Sequence, residues 1–354
     1  MLDLFRRKTS SSPAPIDDYG FAELRGGGSR VRVIPAFGGR LVELELAGRQ
    51  WLWSNVYIPF APPHVGSSYV ETADSGGYDE CFPTVAQCRL PSWVKAFGGF
   101  ELPEHGELWS QIPVTNVEQY EGTQAIVSTW TSSKIPYTFT RRILVTADGS
   151  VITDYAVRND GKERFPFVWS SYPLFALTSQ THLILPEGAR LRVYGAHGVA
   201  LGTTRTEHKW PFIRTGALQA DLSHPALVAK RFACKLFLDM PMGQGRAAIR
   251  EGLDQLEVTF DTSQVPHLGL WINRSGWTPL KRAEPYCNVS IAPCLGAPDS
   301  LTEALGDWKG AQWIEPGVTR EWRLAWRGRR LIGEADTPAR GSVAIDGSAN
   351  GDQS

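Results

Sequence analysis

The sequence predicts an all-β protein, a large antiparallel β-sandwich with few short helices. Short runs alternate apolar and polar residues with period two, for example at residues 29–34 and 41–46. Such alternation is typical of half-buried strands. Turn dipeptides such as Gly38-Gly39 and Asp148-Gly149 separate these runs, and the second is a strong hairpin signal. Helical periodicity is nearly absent, which excludes a parallel α/β sheet.

The predicted elements follow one another along most of the chain. The first hairpin is expected at residues 29–46. Further strands are expected at residues 125–130, 137–146, 151–158, 183–185, 190–194, 233–239, 247–250, 255–261, 268–272, 288–292 and 319–326. One short helix is expected at residues 301–308, with Asp299 or Ser300 as its cap, since both residue types favour helix N-termini.

The chain of 354 residues shows no internal repeat and no linker between residues 29 and 330, which predicts a single domain over that range. Residues 1–28 and 331–354 are rich in small and polar residues, so we expect a disordered lead-in and a disordered tail. The basic N-terminus precedes no apolar segment, which argues against a secretory signal. A cytoplasmic location is therefore expected.

Composition excludes several classes of partner. The formal net charge is -1, whereas a nucleic-acid surface needs a basic stripe. No apolar run approaches the ~20 residues of a membrane span. Five cysteines are an odd number, and their spacing fits neither a disulfide framework nor structural zinc. We expect free thiols, no metal, no cofactor and no nucleic-acid or membrane partner, and the oligomeric state stays open.

Residues that could perform chemistry concentrate in residues 76–111. This stretch reads GGYDECFP at residues 76–83 and PEHGELW at residues 103–109. It sets several acids and a histidine among aromatic residues. The polar side chains of interest are Asp79, Glu80, Glu104, His105 and Glu107, and the aromatic ones are Tyr78, Phe82, Trp93, Phe97, Phe100 and Trp109. Sugars fit such a pocket, because hydroxyls bond to carboxylates and C–H faces stack on aromatic rings. The alternative is a long connection whose aromatics plug the core.

The order of several motifs resembles the aldose 1-epimerase (galactose mutarotase-like) superfamily. The motifs are PAFGGRL (35–41), GGYDECFP (76–83), LPEHGE (102–107), residues 154–169, LGLWIN (268–273) and IAPCLGAPDSL (291–301). Together they span most of the chain. The resemblance implies a β-sandwich with a sugar cleft, and a reaction without cofactor that interconverts the α and β anomers of an aldose by acid/base ring opening.

The resemblance also assigns roles. His105 takes the place of the family histidine that assists at the ring oxygen, Tyr172 stands where the family has its general acid, and Ala292 stands at the base. Alanine cannot accept a proton, and tyrosine, with an ordinary pKa near ~10, is a poorer acid than histidine. We expect either an active epimerase with a substitute base or a sugar-binding relative without turnover. Glu284 is the most economical substitute base, with Glu80 and Glu107 as the others.

The remaining expectations concern ligand contacts. Asp79, Glu80 and Glu107 are expected to accept hydrogen bonds from sugar hydroxyls, although Asp79 and Glu80 could instead cap a turn. Strand alternation sets Trp271 opposite Leu270 and Ile272, which favours a stacking platform for the sugar. Carboxylates beside His105 are expected to raise its pKa. Because similar β-sandwiches serve sugar lyases and transferases, the fold alone does not decide the reaction.

Overall fold

The computed structural model describes residues 18–64, 67–215, 218–279 and 285–331. Two large antiparallel sheets of 14 and 8 strands account for most of these residues, and two small two-stranded sheets lie beside them. The prediction of an all-β sandwich with few short helices is therefore confirmed.

The first half of the chain contains strands β1 (Ala22–Gly26), β2 (Ser29–Ile34), β3 (Arg40–Leu46), β4 (Arg49–Gln50), β5 (Tyr78–Cys81), β6 (Cys88–Arg89), β7 (Glu101–Leu102), β8 (Val114–Tyr120), β9 (Thr123–Ser132), β10 (Tyr137–Val145), β11 (Val151–Asn159), β12 (Phe165–Phe167), β13 (Ser170–Pro173) and β14 (Phe175–Ala176). The second half contains β15 (Thr181–Ile184), β16 (Arg190–His197), β17 (Glu207–Lys209), β18 (Phe212–Thr215), β19 (Leu218–Asp221), β20 (Phe232–Asp239), β21 (Gln244–Glu251), β22 (Asp254–Asp261), β23 (His267–Arg274), β24 (Cys287–Cys294), β25 (Gln312–Ile314) and β26 (Thr319–Arg330). The helices are α1 (Tyr69–Thr72), α2 (Pro225–Val228) and α3 (Leu301–Leu305), with 3₁₀ turns at Pro35–Phe37, Lys95–Phe97 and Leu108–Ser110.

The strand order explains how distant segments meet. The large sheet runs β1-β2-β3-β5-β13-β24-β23-β20-β16-β17-β18-β19, with β4 beside β3 and β14 beside β24. The smaller sheet runs β15-β21-β22-β26-β11-β10-β9-β8. Five strands that are distant in sequence thus become neighbours at the centre of the large sheet: residues 78–81, 170–173, 287–294, 267–274 and 232–239.

Aromatic side chains fill the space between the two sheets. Trp169 of the segment before β13 packs on Trp322 of β26 with ring centroids 4.8 Å apart. Phe82 packs on Phe139 of β10 at 5.3 Å. All four side chains are fully or almost fully buried. Burial of such large apolar surfaces is the main favourable contribution to folding.

The central strands of the large sheet are covered on both faces. In β23, Leu268, Leu270 and Ile272 belong to the core between the sheets, while Trp271 points to the opposite face because neighbouring side chains in a strand alternate. The same alternation in β20 sends Leu236 to the core and Lys235 to the opposite face. This outer face of the large sheet carries the candidate site described below.

Strand β5 lies inside the large sheet, between β3 and β13, and all four of its residues are buried. Its two acids therefore face opposite sides, and each has an arginine partner. On the core side, Glu80 Oε1 lies 3.4 Å from Arg141 Nη1, and Glu80 accepts hydrogen bonds from Tyr155 and Trp169 at 3.0 Å each. Burial raises the pKa of Glu80 to about 7, against the lowering effect of Arg141.

Several sequence predictions are confirmed in detail. The Asp148-Gly149 turn joins β10 to β11 in a hairpin that pairs Val145 with Val151. Helix α3 begins after Ser300, whose hydroxyl accepts a hydrogen bond from the Glu303 amide, although the helix is shorter than predicted. All five cysteines are free.

The predicted disordered lead-in of residues 1–28 is wrong in its last part. Strand β1 (Ala22–Gly26) pairs with β2 along its whole length, because Leu24 contributes a buried side chain to the core. Residues 1–17 lie outside the described residues. So do residues 332–354, which make up all but the first residue of the predicted tail. Among the described residues, no helix is long and apolar enough to cross a membrane.

Replacing Arg141 with methionine is expected to lower the free energy of unfolding by ~3–5 kcal/mol at pH 8, because Glu80 would keep an unpaired charge in the core. Without Arg141, the pKa of Glu80 rises further above its unfolded value of 4.5. The stability that the protonated form provides is then lost as the pH rises through the folded pKa. Denaturant unfolding at pH 5 should therefore show a smaller loss than at pH 8.

The double variant with Glu80→Gln and Arg141→Met is the control. Because it removes both charges, its pH dependence should be weaker than that of Arg141→Met alone. Equal destabilisation of Arg141→Met at both pH values would contradict this account of the pair.

Candidate functional site

A pocket of about 290 Å³ opens on the outer face of the large sheet. Strands β13, β16, β20, β23 and β24 form its floor, and the segments around α1 and residues 104–105 form one wall. Its polar and aromatic lining comprises Tyr69, Asp74, Glu104, His105, Tyr172, Tyr194, His197, Lys235, Trp271, Trp277, Asn288 and Asp299. Residues from eight separate regions of the sequence thus converge on a cavity that suits a small polar molecule.

His105 lies on a tight loop that is fixed by backbone hydrogen bonds. Its amide donates to the Val85 carbonyl at 2.6 Å, and the Glu107 amide donates to the Phe82 carbonyl at 2.8 Å. Gly106 between them has φ +73°, and a Cβ there would lie 2.1 Å from the Phe82 carbonyl oxygen. Only glycine fits this close approach, so the loop presents His105 to the pocket in one orientation.

The environment of His105 is aromatic. Its ring stacks on Tyr69 at 3.8 Å and meets Tyr172 edge-on at 5.0 Å. The side chain is buried, and its Nδ1 has no hydrogen-bond partner among the described residues. Burial, with smaller effects of Lys235 and Arg40, lowers the pKa of His105 to about 3. The predicted rise of this pKa is wrong, because burial and the two nearby cations all lower it, and the imidazole is neutral at pH 7.

Tyr172 lies in β13 and faces the pocket beside His105. Its pKa is raised well above the usual value, chiefly by burial and then by electrostatic effects of nearby acidic groups, of which Asp74 is the largest. The phenol therefore keeps its proton and is a still poorer acid than its ordinary pKa implies. It can donate a hydrogen bond to a ligand, however.

Lys235 and Asp299 form an ion pair on the pocket floor. Lys235 Nζ lies 3.2 Å from Asp299 Oδ1, and both side chains are largely buried. Burial raises the pKa of Asp299, while Lys235 partly opposes that rise. The ammonium also lies 5.6 Å from the ring centre of Tyr172 and 5.3 Å from that of Phe237, so cation–π contacts help to hold it.

A second carboxyl group, Asp74, lies on the wall that follows α1. Its Oδ2 accepts a hydrogen bond from the Tyr286 hydroxyl, and its backbone carbonyl accepts one from Asn55 at 2.8 Å. Burial raises the pKa of Asp74 to about 6, although the Tyr286 hydrogen bond lowers it and Glu104 raises it further. This carboxyl can therefore take up or release a proton near neutral pH.

Trp271 and Trp277 provide apolar surface at the other side of the pocket. Their rings meet edge-on at 5.7 Å, and Trp271 Nε1 donates to Asn288 Oδ1 at 3.0 Å, which fixes the indole. Among the described residues, no group of three or more His, Cys, Asp or Glu side chains is arranged to hold a metal ion.

No family model and no curated protein matches the chain. Solved structures do. The Slr1438 protein from Synechocystis sp. PCC 6803 matches with a TM-score of 0.66 and 17% identity over 92% of this chain and 99% of that chain. The galactose mutarotase related enzyme from Lactobacillus acidophilus matches with a TM-score of 0.60 and 13% identity, over 88% of this chain and 98% of that chain. A galactose mutarotase-like protein from Lactobacillus casei ATCC 334 matches with a TM-score of 0.58 and 16% identity, over 88% of this chain and 100% of that chain. The chain has the galactose mutarotase-like fold. The predicted resemblance is thus confirmed for the fold.

In this mutarotase-like fold, three of the predicted site residues line the pocket: His105, Tyr172 and Trp271. Ala292 lies on the same face of the sheet, in register with Gly269, and it is fully buried. Glu284 lies outside the described residues.

The other predicted ligand contacts bind protein groups instead. Asp79 is paired with Arg40, with Nη2 2.6 Å from Oδ2, and accepts a hydrogen bond from Tyr69 at 2.7 Å. Glu80 faces the core, and Glu107 accepts a hydrogen bond from Tyr137 at 2.9 Å. None of these three carboxyls lines the pocket. Glu80 and Glu107 are therefore poorly placed to replace a missing base.

Asp74, Lys235 and Asp299 were not predicted as site residues. For Lys235 a signal exists, because a lysine inside the apolar strand FACKLFLD is expected only where a partner or a pocket receives its charge. Asp299 was considered only as a possible helix cap. For Asp74, no local pattern distinguishes it from other polar turn residues.

Tyr286→Phe is expected to raise the pKa of Asp74 above its value of about 6, because the variant loses a hydrogen bond that favours the ionised carboxylate. The titration of this carboxyl can be followed by NMR of ¹³C-labelled aspartate. Tyr57→Phe, at an exposed tyrosine, is the control and should leave the titration unchanged. An unchanged or lower pKa in Tyr286→Phe would show that the hydrogen bond does not control Asp74.

Proposed function

We propose that the pocket binds an aldose and interconverts its α and β anomers. The observation that carries this proposal is the combination of two carboxyl groups with raised pKa values, Asp74 and Asp299, with a neutral buried histidine and aromatic surface in one cavity of monosaccharide size.

The lining suits the two faces of a sugar. Trp271 and Tyr172 offer apolar surface to ring C–H groups. Asp74 and Glu104 offer carboxylate oxygens to hydroxyl donors, and His105 Nδ1 is a polar atom without a hydrogen-bond partner in the described part of the chain. A buried polar atom without a partner is costly unless a ligand or water satisfies it, so a sugar hydroxyl next to His105 would gain a hydrogen bond that the protein does not supply.

Anomer interconversion needs only proton transfer. A base removes the proton from the anomeric hydroxyl, an acid protonates the ring oxygen, and closure after rotation about C1–C2 reverses both steps. A carboxyl whose pKa lies nearer to 7 than that of an ordinary aspartate is better matched to this exchange. The raised pKa values of Asp74 and Asp299 both meet that condition. Proton transfer by these carboxyls requires no cofactor.

The second candidate function is sugar binding without turnover. One observation favours it: the strand position that the resemblance assigns to the base is Ala292, which carries no proton acceptor. The aromatic and hydrogen-bonding lining would then serve recognition alone. The two functions predict the same affinity for a sugar and different rates of mutarotation.

Polarimetry of freshly dissolved α-glucose and α-galactose at pH 7 separates them. The wild-type protein is expected to accelerate mutarotation, and His105→Ala to reduce the rate constant by ~10²-fold, as is typical when a positioned hydrogen-bonding group at a reaction centre is removed. His64→Ala, at an exposed histidine outside the pocket lining, is the matched control. Saturable binding by calorimetry without acceleration would favour the binding function over the enzyme.

We also expect the ligand to be uncharged. The described lining includes the carboxyls of Asp74, Glu104 and Asp299, while its lysine is already paired with Asp299 and His105 is neutral. Glucose 6-phosphate and glucuronate should therefore bind ~10-fold or more weakly than glucose, because like charges in a recessed site repel. Calorimetry at 50 and 500 mM salt tests this, since screening should narrow the difference. Tighter binding of either anion would contradict it.

A further inference from the structure

The ion pair of Lys235 and Asp299 lies on the pocket floor close to strand position 292. Ala292 and Gly269 are partners in register on strands β24 and β23, and both lie on the sheet face that carries the pocket, although neither lines it. Lys235 Nζ lies 3.4 Å from the point where a Cβ on Gly269 would be. Lys235 therefore lies over Gly269, the register partner of Ala292, and its ion pair brings the Asp299 carboxylate to this part of the floor.

The backbone of Asp299 is fixed by hydrogen bonds, whereas its carboxylate is not required to stabilise a turn or a helix end. Its backbone carbonyl accepts hydrogen bonds from the amides of Val85 and Ala86 at 2.9 Å each, which fixes the residue. The neighbouring Ser300 caps helix α3, so the Asp299 side chain is not needed for capping. Its Oδ1 forms an ion pair with Lys235 Nζ at 3.2 Å and makes no hydrogen bond among the described residues.

Lys235 is equally confined. Its side chain is only 9% exposed, and aromatic rings of Tyr172 and Phe237 border the ammonium. A lysine ammonium has three protons to donate. Beside the ion pair with Asp299, these protons are available to a ligand in the pocket.

We propose that Lys235 and Asp299 act together as one acid–base unit on the two oxygens of the anomeric carbon, in place of the carboxylate absent at position 292. This inference rests on the proposed function. Both reacting oxygens of a cyclic aldose are bonded to C1, so an acid and a base that are themselves neighbours can reach them together.

The step balances within the pair. Asp299 accepts the proton of the anomeric hydroxyl, the C1–O bond to the ring oxygen breaks as the carbonyl forms, and Lys235 gives one proton to the ring oxygen. The products are the open-chain aldehyde, a neutral carboxylic acid and a neutral amine. After rotation about C1–C2, ring closure on the other face of the carbonyl returns both protons and restores the ion pair.

Burial favours this exchange. Both groups lose charge as the ring opens, and a poorly hydrated site disfavours charged forms. The raised pKa of Asp299 shows that burial already makes protonation easier for this carboxyl than for an exposed aspartate. The pair is thus stable enough to persist in the resting site and able to neutralise itself during the reaction.

The test is a double-mutant cycle with Asp299→Asn, Lys235→Met and the double variant, with mutarotation followed by polarimetry and sugar binding by calorimetry. Each single variant is expected to lose ~10²–10⁴-fold in kcat while its sugar dissociation constant changes by only a few fold. The double variant should be no slower than the slower single variant, because groups that act as one unit show non-additive losses. Circular dichroism and thermal unfolding verify that each variant is folded.

Asp307→Asn is the matched control, since Asp307 is an exposed aspartate near the end of α3, paired with Arg205 at 3.1 Å. It should retain the wild-type rate. Wild-type activity that survives in Asp299→Asn, or losses that multiply in the double variant, would overturn the acid–base unit and leave the proposed function standing. A wild-type protein that accelerates no aldose tested would overturn both.

Discussion

The structure depends on strand β5, which is buried on both faces at the centre of the large sheet. A strand in that position must cover apolar neighbours on each side, yet β5 carries two adjacent acids. Each acid is compensated by an arginine: Asp79 by Arg40 on the outer face, and Glu80 by Arg141 between the sheets. Removal of either arginine would leave a carboxylate in a site that cannot hydrate it, which is far more costly than the loss of a surface ion pair.

The outer of these two pairs also supports the pocket. Asp79 accepts a hydrogen bond from Tyr69, and the Tyr69 ring stacks on His105. The chain of contacts therefore runs from Arg40 through Asp79 and Tyr69 to the histidine on the pocket wall. In this arrangement Asp79 positions a site residue and does not contact the ligand. The same burial explains the direction of the pKa shifts, because desolvation raises the pKa values of Asp74 and Asp299 and lowers that of His105.

The fold was predictable because its signals are local. Alternation in residues 29–46 and the Asp148-Gly149 turn each specify a hairpin, and Ser300 specifies a helix start. Site residues that belong to the recognised motifs, such as His105 and Trp271, could also be predicted from the sequence, and both line the pocket. Asp79 and Glu80 were misjudged because the sequence places them in a glycine- and proline-rich stretch typical of a loop, whereas tertiary contacts draw residues 78–81 into the sheet. Their arginine partners are 39 and 61 residues away in the sequence, so no local pattern predicts these two ion pairs.

Position 292 shows why a missing residue in one motif does not decide activity. In an antiparallel sheet, neighbouring strands lie only ~5 Å apart, and side chains on one face from adjacent strands reach the same volume. Lys235 of β20 and Asp299, which follows β24, both extend to the pocket floor; Lys235 lies outside the motifs that carry the resemblance, and Asp299 stands seven residues after Ala292 in the motif at residues 291–301. A proton acceptor can therefore be supplied to one point in the pocket from several positions in the chain. In the proposed mechanism the position of the acid and the base relative to the bound ring decides the reaction, and Lys235 and Asp299 place an ammonium and a carboxylate together on the pocket floor.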